Sequence, residues 1–170
     1  MASSIVYLMD GKALLAAPSV LDTFYVLEDG YLLQADTEAV YCRTCSDLQP
    51  AERIPSLADA EAAFTNEDRY TLKAVRNRKS MAYDAAMTRK RYYEWRFTRK
   101  AAPRCLKCGG HDLFVIHDNE CCDPISGHSF VFHDCEFYDP CFPISIRLRP
   151  DGTVLESNLD PVRYENSGEQ

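Results

Sequence analysis

The sequence predicts an α+β protein, and three observations carry that class. Apolar and aromatic runs of strand length lie towards both ends of the chain. Residues 67–88 contain no Gly or Pro and keep a helical period, and cysteines recur in two pairs on either side of that stretch. With 46% hydrophobic and 26% charged residues among 170, the composition is globular, and a chain of this length forms a core without disulfide staples. One domain over 1–170 is expected, with 46–104 as a basic, largely helical insertion.

The longest apolar stretch, 5–21, is broken by Asp10, Gly11 and Lys12. It is too short to cross a bilayer and has neither the basic flank nor the cleavage site of a signal peptide. A cytoplasmic protein without a membrane partner is therefore expected. In a reducing compartment eight cysteines suit metal ligation or burial as thiols better than a disulfide framework.

Residues 23–27 and 31–34 flank Glu28-Asp29-Gly30 and read as a hairpin; Ala39-Val40-Tyr41 then runs into Cys42. The character changes after Pro50. Ser56, with Asp59 three residues on, marks the N-cap of a short helix over 57–64. A longer helix is expected over 67–88, capped by Asn66, with Leu72, Val75, Ala82 and Ala86 near one face. From Arg91 to Arg99 every second residue alternates, which predicts a strand leading to Pro103. Further strands are expected over 113–117, 129–133 and 144–148, with a final turn at Pro150-Asp151-Gly152 returning through Val154 and Leu155.

The most specific feature is Cys42-Arg43-Thr44-Cys45 together with Cys105-Leu106-Lys107-Cys108. Two residues between cysteines let a tight knuckle aim both sulfurs at one ion, and two knuckles supply four thiolates for a tetrahedral Zn2+. Neither pair opens a helical pattern, as a thioredoxin-like redox pair does. The arrangement resembles the zinc ribbon over residues 39–45 and 97–115. The resemblance implies a zinc-ribbon-like antiparallel β core, here with a helical insertion between the knuckles and a C-terminal β extension. Ser46 stands where such knuckles commonly have Gly, and the 46–104 interval is longer than in compact ribbons.

Cys121, Cys122, His128, His133, Cys135 and Cys141 are a candidate second metal set, with His111 and His117 nearby; the alternative is buried thiols and hydrogen-bonded histidines. On an alternating strand His133 and Cys135 share one face, while His128 lies on the other with Phe130 and Phe132.

Net charge is −7, but residues 69–104 hold twelve cations against two carboxylates, a net +10, while 1–68 carries −9 and 105–170 carries −8. Arg76, Arg78, Lys79, Arg89, Lys90, Arg91, Trp95 and Arg96 are the candidate partner-binding residues of that basic block. The leading reading is a non-enzymatic structural-zinc protein that binds a protein partner as adaptor, inhibitor or assembly module. One alternative is nucleic-acid binding, with 69–104 neutralising phosphate while Trp95 and its aromatic neighbours stack on bases. The other is a metal-dependent enzyme using 111–141, although no phosphate loop, nucleophile elbow or H-E-x-x-H motif occurs. The sequence leaves open whether the basic block faces a partner or its own acidic flanks.

Overall fold

The apolar run broken at Asp10 folds back on itself. β1 (Ala2–Met9) and β2 (Ala13–Pro18) form an antiparallel hairpin whose turn passes through left-handed Asp10 (φ 52°) and Gly11 (φ 65°). The computed structural model describes residues 2–18, 22–75, 80–138 and 144–159. Among them are eleven strands in three sheets and three helices, a mixed α+β fold.

The hairpin expected around Gly30 is present as β3 (Asp22–Val26) and β4 (Leu32–Gln34), with Gly30 at φ 79°. β5 (Thr37–Cys42) and β6 (Asp47–Glu52) follow, then α1 (Leu57–Ala63), α2 (Asn66–Ala74) and α3 (Met81–Thr98). The remaining strands are β7 (Leu113–Val115), β8 (Glu120–Cys122), β9 (Ser129–Tyr138), β10 (Ser145–Leu148) and β11 (Val154–Ser157). The sheets run β2-β1-β9-β8, β11-β10-β3-β4 and β6-β5-β7; only the β10–β3 pair is parallel.

Several expectations are corrected. The sequence pattern predicts no strand between Cys45 and the Ser56 helix, yet β6 pairs with β5 along its whole length. Pro50 lies inside β6, and its carbonyl accepts from Leu106 N on the open side of the strand (2.9 Å). β1, β2 and β8 were likewise not read as strands. The single helix over 67–88 is two: α2 ends at the Val75 C-cap, and α3 begins after Ser80, whose side chain caps Tyr83 N at 3.2 Å. Thr65, not Asn66, caps α2, in a capping box with Asp68. The Ser56 cap on Asp59 N is present (3.0 Å).

The largest correction concerns 91–99, which is the C-terminal half of α3 and not a strand. Tyr92 and Trp95 face a core shared with β3, β4 and β10, while Tyr93 stacks on Phe64 at the end of α1, with ring centroids 5.9 Å apart. Two helical rows turned towards different neighbours interleave in sequence as an alternation.

The described residues form two cores. Tyr25, Leu33, Trp95, Leu106, Ile146 and Leu148 fill one; Tyr7, Ala17, Tyr41, Leu48 and Phe130 fill the other. Beside the first lies an ion pair of Glu52 and Arg99, whose side chains are 0% and 1% exposed and 2.9 Å apart. Glu52 also accepts from Tyr25 Oη (2.7 Å) and Arg104 N (2.9 Å), while Arg99 donates to the carbonyls of Pro150 (2.9 Å), Ala101 (3.0 Å) and Ala102 (3.3 Å).

Arg99→Ala leaves Glu52 buried without its counter-charge, so a loss of about 3–5 kcal/mol is expected in urea unfolding. The double change with Glu52→Ala should cost less than the sum of the two single changes. The Arg89 guanidinium, aided by the Thr65 N–H, holds the Asp68 carboxyl at about 2. Its unfolded value is about 3.9, so the stability it contributes is present above about pH 4 and is lost as pH falls towards 2. Thermal melts across that window should fall less steeply for Asp68→Asn than for the native chain.

Candidate metal centre

Both knuckles sit at one end of the β6-β5-β7 sheet. The first is the turn of the β5–β6 hairpin: Cys42 ends β5, and Ser46 takes φ 52° to bring the chain into β6. The position where Gly is common is thus left-handed here, and Ser46 tolerates it with Oγ and N both donating to Arg43 O at 3.3 Å. The second knuckle is stitched beside β6: Cys105 bridges Ala51, and Glu52 N donates to Arg104 O (3.1 Å). It turns at Gly109 (φ 73°), whose N donates to Cys105 O (2.8 Å), and then leads into β7.

The four cysteine sulfurs all lie within 4.8 Å of one another. Cys42 Sγ and Cys108 Sγ are 3.6 Å apart, and Cys45 Sγ and Cys105 Sγ are 4.0 Å apart. A tetrahedron with metal–sulfur bonds of about 2.3 Å has edges of about 3.8 Å, so the four donors fit one ion of zinc size. Cys42 and Cys105 are buried, Cys45 is half-buried and Cys108 is exposed. Burial pushes the Cys45 and Cys105 thiols up. For Cys108 burial acts in the same sense, but the Gly110 N–H and the neighbouring thiols outweigh it and the net direction is down. Four thiolates packed this closely repel one another, and a divalent ion removes that repulsion.

Two supports were not anticipated from sequence. Arg43, between the ligands of the first knuckle, donates to Asp112 (2.6 Å) and, through Nε and Nη2, to the fully buried Asp123 (2.7 and 2.6 Å). The guanidinium and the Ser126 hydroxyl and backbone N–H groups hold the Asp123 carboxyl well below the usual carboxylate range. Leu106, inside the second knuckle, is 2% exposed and belongs to the Trp95 core. The signal for the first was an arginine inside a knuckle with one acid just before β7 and another just after β8; for the second, a leucine between two ligands.

The described members of the candidate second set are not brought together. Among the described residues, the four-cysteine cluster is the only group of three or more His, Cys, Asp or Glu ligands placed to share an ion. Cys122, His133 and Cys135 are exposed, Cys121 and His128 are half-buried, and Cys141 lies outside the described residues. His128 Nδ1 contacts Asp10 (2.6 Å), whose carboxyl is held low by the Ser129 N–H and by His128. A β-bulge also overturns the expected faces. Val6 pairs with Asp134 but Tyr7 with Phe132, so His133 is an extra residue and Cys135 rejoins the face of Phe130 and Phe132.

The basic block turns inward. Arg89 binds Asp68; Arg91 binds Asp29 (2.5 Å) and lies over the Tyr31 ring (4.2 Å); Arg69 binds Glu61 (3.1 Å); Arg99 binds Glu52. All four carboxylates come from the acidic 1–68 segment. Lys90 pairs with Glu94 (3.4 Å), and Arg96 Nε donates to Pro55 O (2.5 Å). Trp95 is 4% exposed, its ring 4.3 Å from Tyr25 and its indole N–H on Pro150 O (3.0 Å). It is a core residue and has no face free for a base. Arg76, Arg78 and Lys79 lie outside the described residues.

A groove of about 590 Å³ between α3 and the β3–β4 turn is lined by Leu27, Asp29, Met87, Lys90, Arg91 and Trp95 among others, with no cysteine or histidine in its wall. Comparison of the chain with known protein families, with curated proteins and with solved structures finds no match.

Leu106→Ala should cost about 2–5 kcal/mol in urea unfolding, since it removes a buried core side chain while leaving all four sulfurs in place.

Proposed function

We propose that this chain is a cytoplasmic structural-zinc protein, one domain with a zinc-ribbon-like core, that acts as a non-enzymatic protein-binding module. Zinc is the natural occupant of a closed set of four thiolates, and with four protein ligands no position is open for a substrate water. The observation that carries the binding role is an aromatic stripe on the helical unit. Phe64, Tyr93 and Phe97 follow one another at 5.9 and 6.4 Å between ring centroids, with Arg69 over Phe64 at one end and Lys100 over Phe97 at the other. Phe97 is 60% exposed. Phe64 is buried and Tyr93 half-buried, so the stripe surfaces at Phe97, and an exposed aromatic ring backed by packed rings and edged by a cation suits a protein contact.

The nucleic-acid reading loses support from the same side chains. Arg69, Arg89, Arg91 and Arg99 are held by carboxylates of the chain itself, and Trp95 is buried. No helix among the described residues is long and apolar enough to cross a membrane.

After exhaustive dialysis, metal analysis should find about one zinc per chain, and Cys42→Ser and Cys105→Ser should each lower both zinc content and melting temperature. A metal-free chain with an unchanged melt would end the zinc reading. Affinity capture from the native host should recover a protein that Phe97→Asp no longer retains. Recovery instead of nucleic acid, released by salt and lost on reversing the exposed Lys73 and Lys100 to Glu, would replace the protein-binding reading.

A further inference from the structure

The ligands of the metal centre are unequal in a way that bears on its chemistry. Cys42 and Cys105 are buried and Cys45 is half-buried, but Cys108 reaches the surface. The chain beyond it is bare. A Cβ on Gly109 would meet nothing within 4 Å, and a Cβ on Gly110 would stand 3.3 Å from Cys108 Sγ and 3.4 Å from Thr44 Oγ1. The missing side chain at Gly110 therefore keeps an approach to that sulfur open, while its N–H contacts the sulfur at 3.4 Å. On the inner side lies Cys42 Sγ, 3.6 Å away and screened from solvent.

We propose that Cys108 is a modification site, the point at which a peroxide oxidises the metal centre, and that Cys42 resolves the product and so releases the ion. The proposal rests on the zinc reading above and concerns how that site is regulated. The Cys108 thiolate attacks one peroxide oxygen; the O–O bond breaks, a sulfenic acid forms and hydroxide leaves. The Cys42 thiolate then attacks the Cys108 sulfur, forming the S–S bond and expelling a second hydroxide. Both hydroxides take protons from solvent to become water. The peroxide gains two electrons, the two thiolates lose two, and the zinc keeps its charge. The resolving step is intramolecular between neighbouring sulfurs, so the burial of Cys42 does not impede it. Two of four ligands are lost, and two thiolates do not hold zinc against solvent. The disulfide keeps the two knuckles joined through Cys42 and Cys108, while Cys45 and Cys105, the latter next to Leu106 of the Trp95 core, lose the ion they shared.

The test is zinc release into a chromogenic chelator after hydrogen peroxide is added to the purified holoprotein, followed by peptide mapping of the blocked thiols. The native chain should release about one zinc per chain with a Cys42–Cys108 disulfide. Cys108→His keeps four ligands and should release zinc about tenfold more slowly. Gly110→Ala keeps all four thiolates and places a methyl group over the sulfur; it should slow release severalfold, which serves as the test if the histidine variant does not fold. Zinc retained under excess peroxide, equal rates in native chain and variants, or a disulfide that omits Cys108 would overturn the proposal while leaving the zinc reading intact. A chain that carries no zinc before peroxide is added overturns both.

Discussion

The interaction on which most of this structure depends is the buried pair of Glu52 and Arg99. A charge without water must have its lone pairs and protons met by protein, and a half-met pair is worse than an apolar substitute. Glu52 draws on the phenol of Tyr25, the guanidinium of Arg99 and the backbone of Arg104; Arg99 draws on the carbonyls of Ala101, Ala102 and Pro150. Strand β3, strand β6, the end of α3, the approach to the second knuckle and the β10–β11 turn are thus fixed at one point. Burial, and the adjacent Glu52 carboxylate, push the Tyr25 phenol well up, so it remains a donor. Gly152 shows how tightly the turn closes over the pair: a Cβ there would stand 2.5 Å from both Arg99 Nη2 and Glu52 Oε2, and its φ is 85°.

That pair and the four-cysteine cluster flank the same strand. β6 begins just after the first knuckle and ends at Glu52, a strand of six residues that spans about 17 Å. The second knuckle starts at Cys105, one residue beyond the Arg104 N–H that Glu52 accepts. The charge pair on Glu52 and the backbone bonds from Leu106 N to Pro50 O and from Glu52 N to Arg104 O hold the strand and its neighbour in one register, and an ion in the cysteine cluster would add a clamp at the knuckles. Tyr41 and Leu48, which pair across β5 and β6 near the first knuckle, belong to one core, and Leu106 in the second knuckle belongs to the other. The cysteine cluster ties two cores that share no strand face.

What was legible in the sequence was what short-range chemistry fixes. Cysteine spacing, the Gly30 hairpin and the Ser56 cap depend on residues within four positions of one another, and each is found where the pattern put it. What was missed depends on partners far along the chain. β6 reads as a break because of Pro50, and only the second knuckle, more than fifty residues later, supplies the donor that the proline carbonyl accepts. The second half of α3 reads as a strand because it packs on two layers at once. The bulge at His133 is invisible until β1 is known to lie alongside β9.

The charge blocks lead to the same conclusion from the energetic side. A +10 block between two acidic blocks reads as a surface prepared for a polyanion only while its partners are unknown. Once folded, Asp29, Glu52, Glu61 and Asp68 have each taken an arginine, and an arginine held by a carboxylate must give that contact up before it can bind phosphate. Exposed pairs such as Arg69–Glu61 exchange at little cost, but Arg99 cannot leave Glu52 without stranding a buried charge. Charge in this protein therefore acts inward, docking α3 on the strands through Arg91–Asp29 and Arg99–Glu52 and joining the helices to one another through Arg89–Asp68 and Arg69–Glu61.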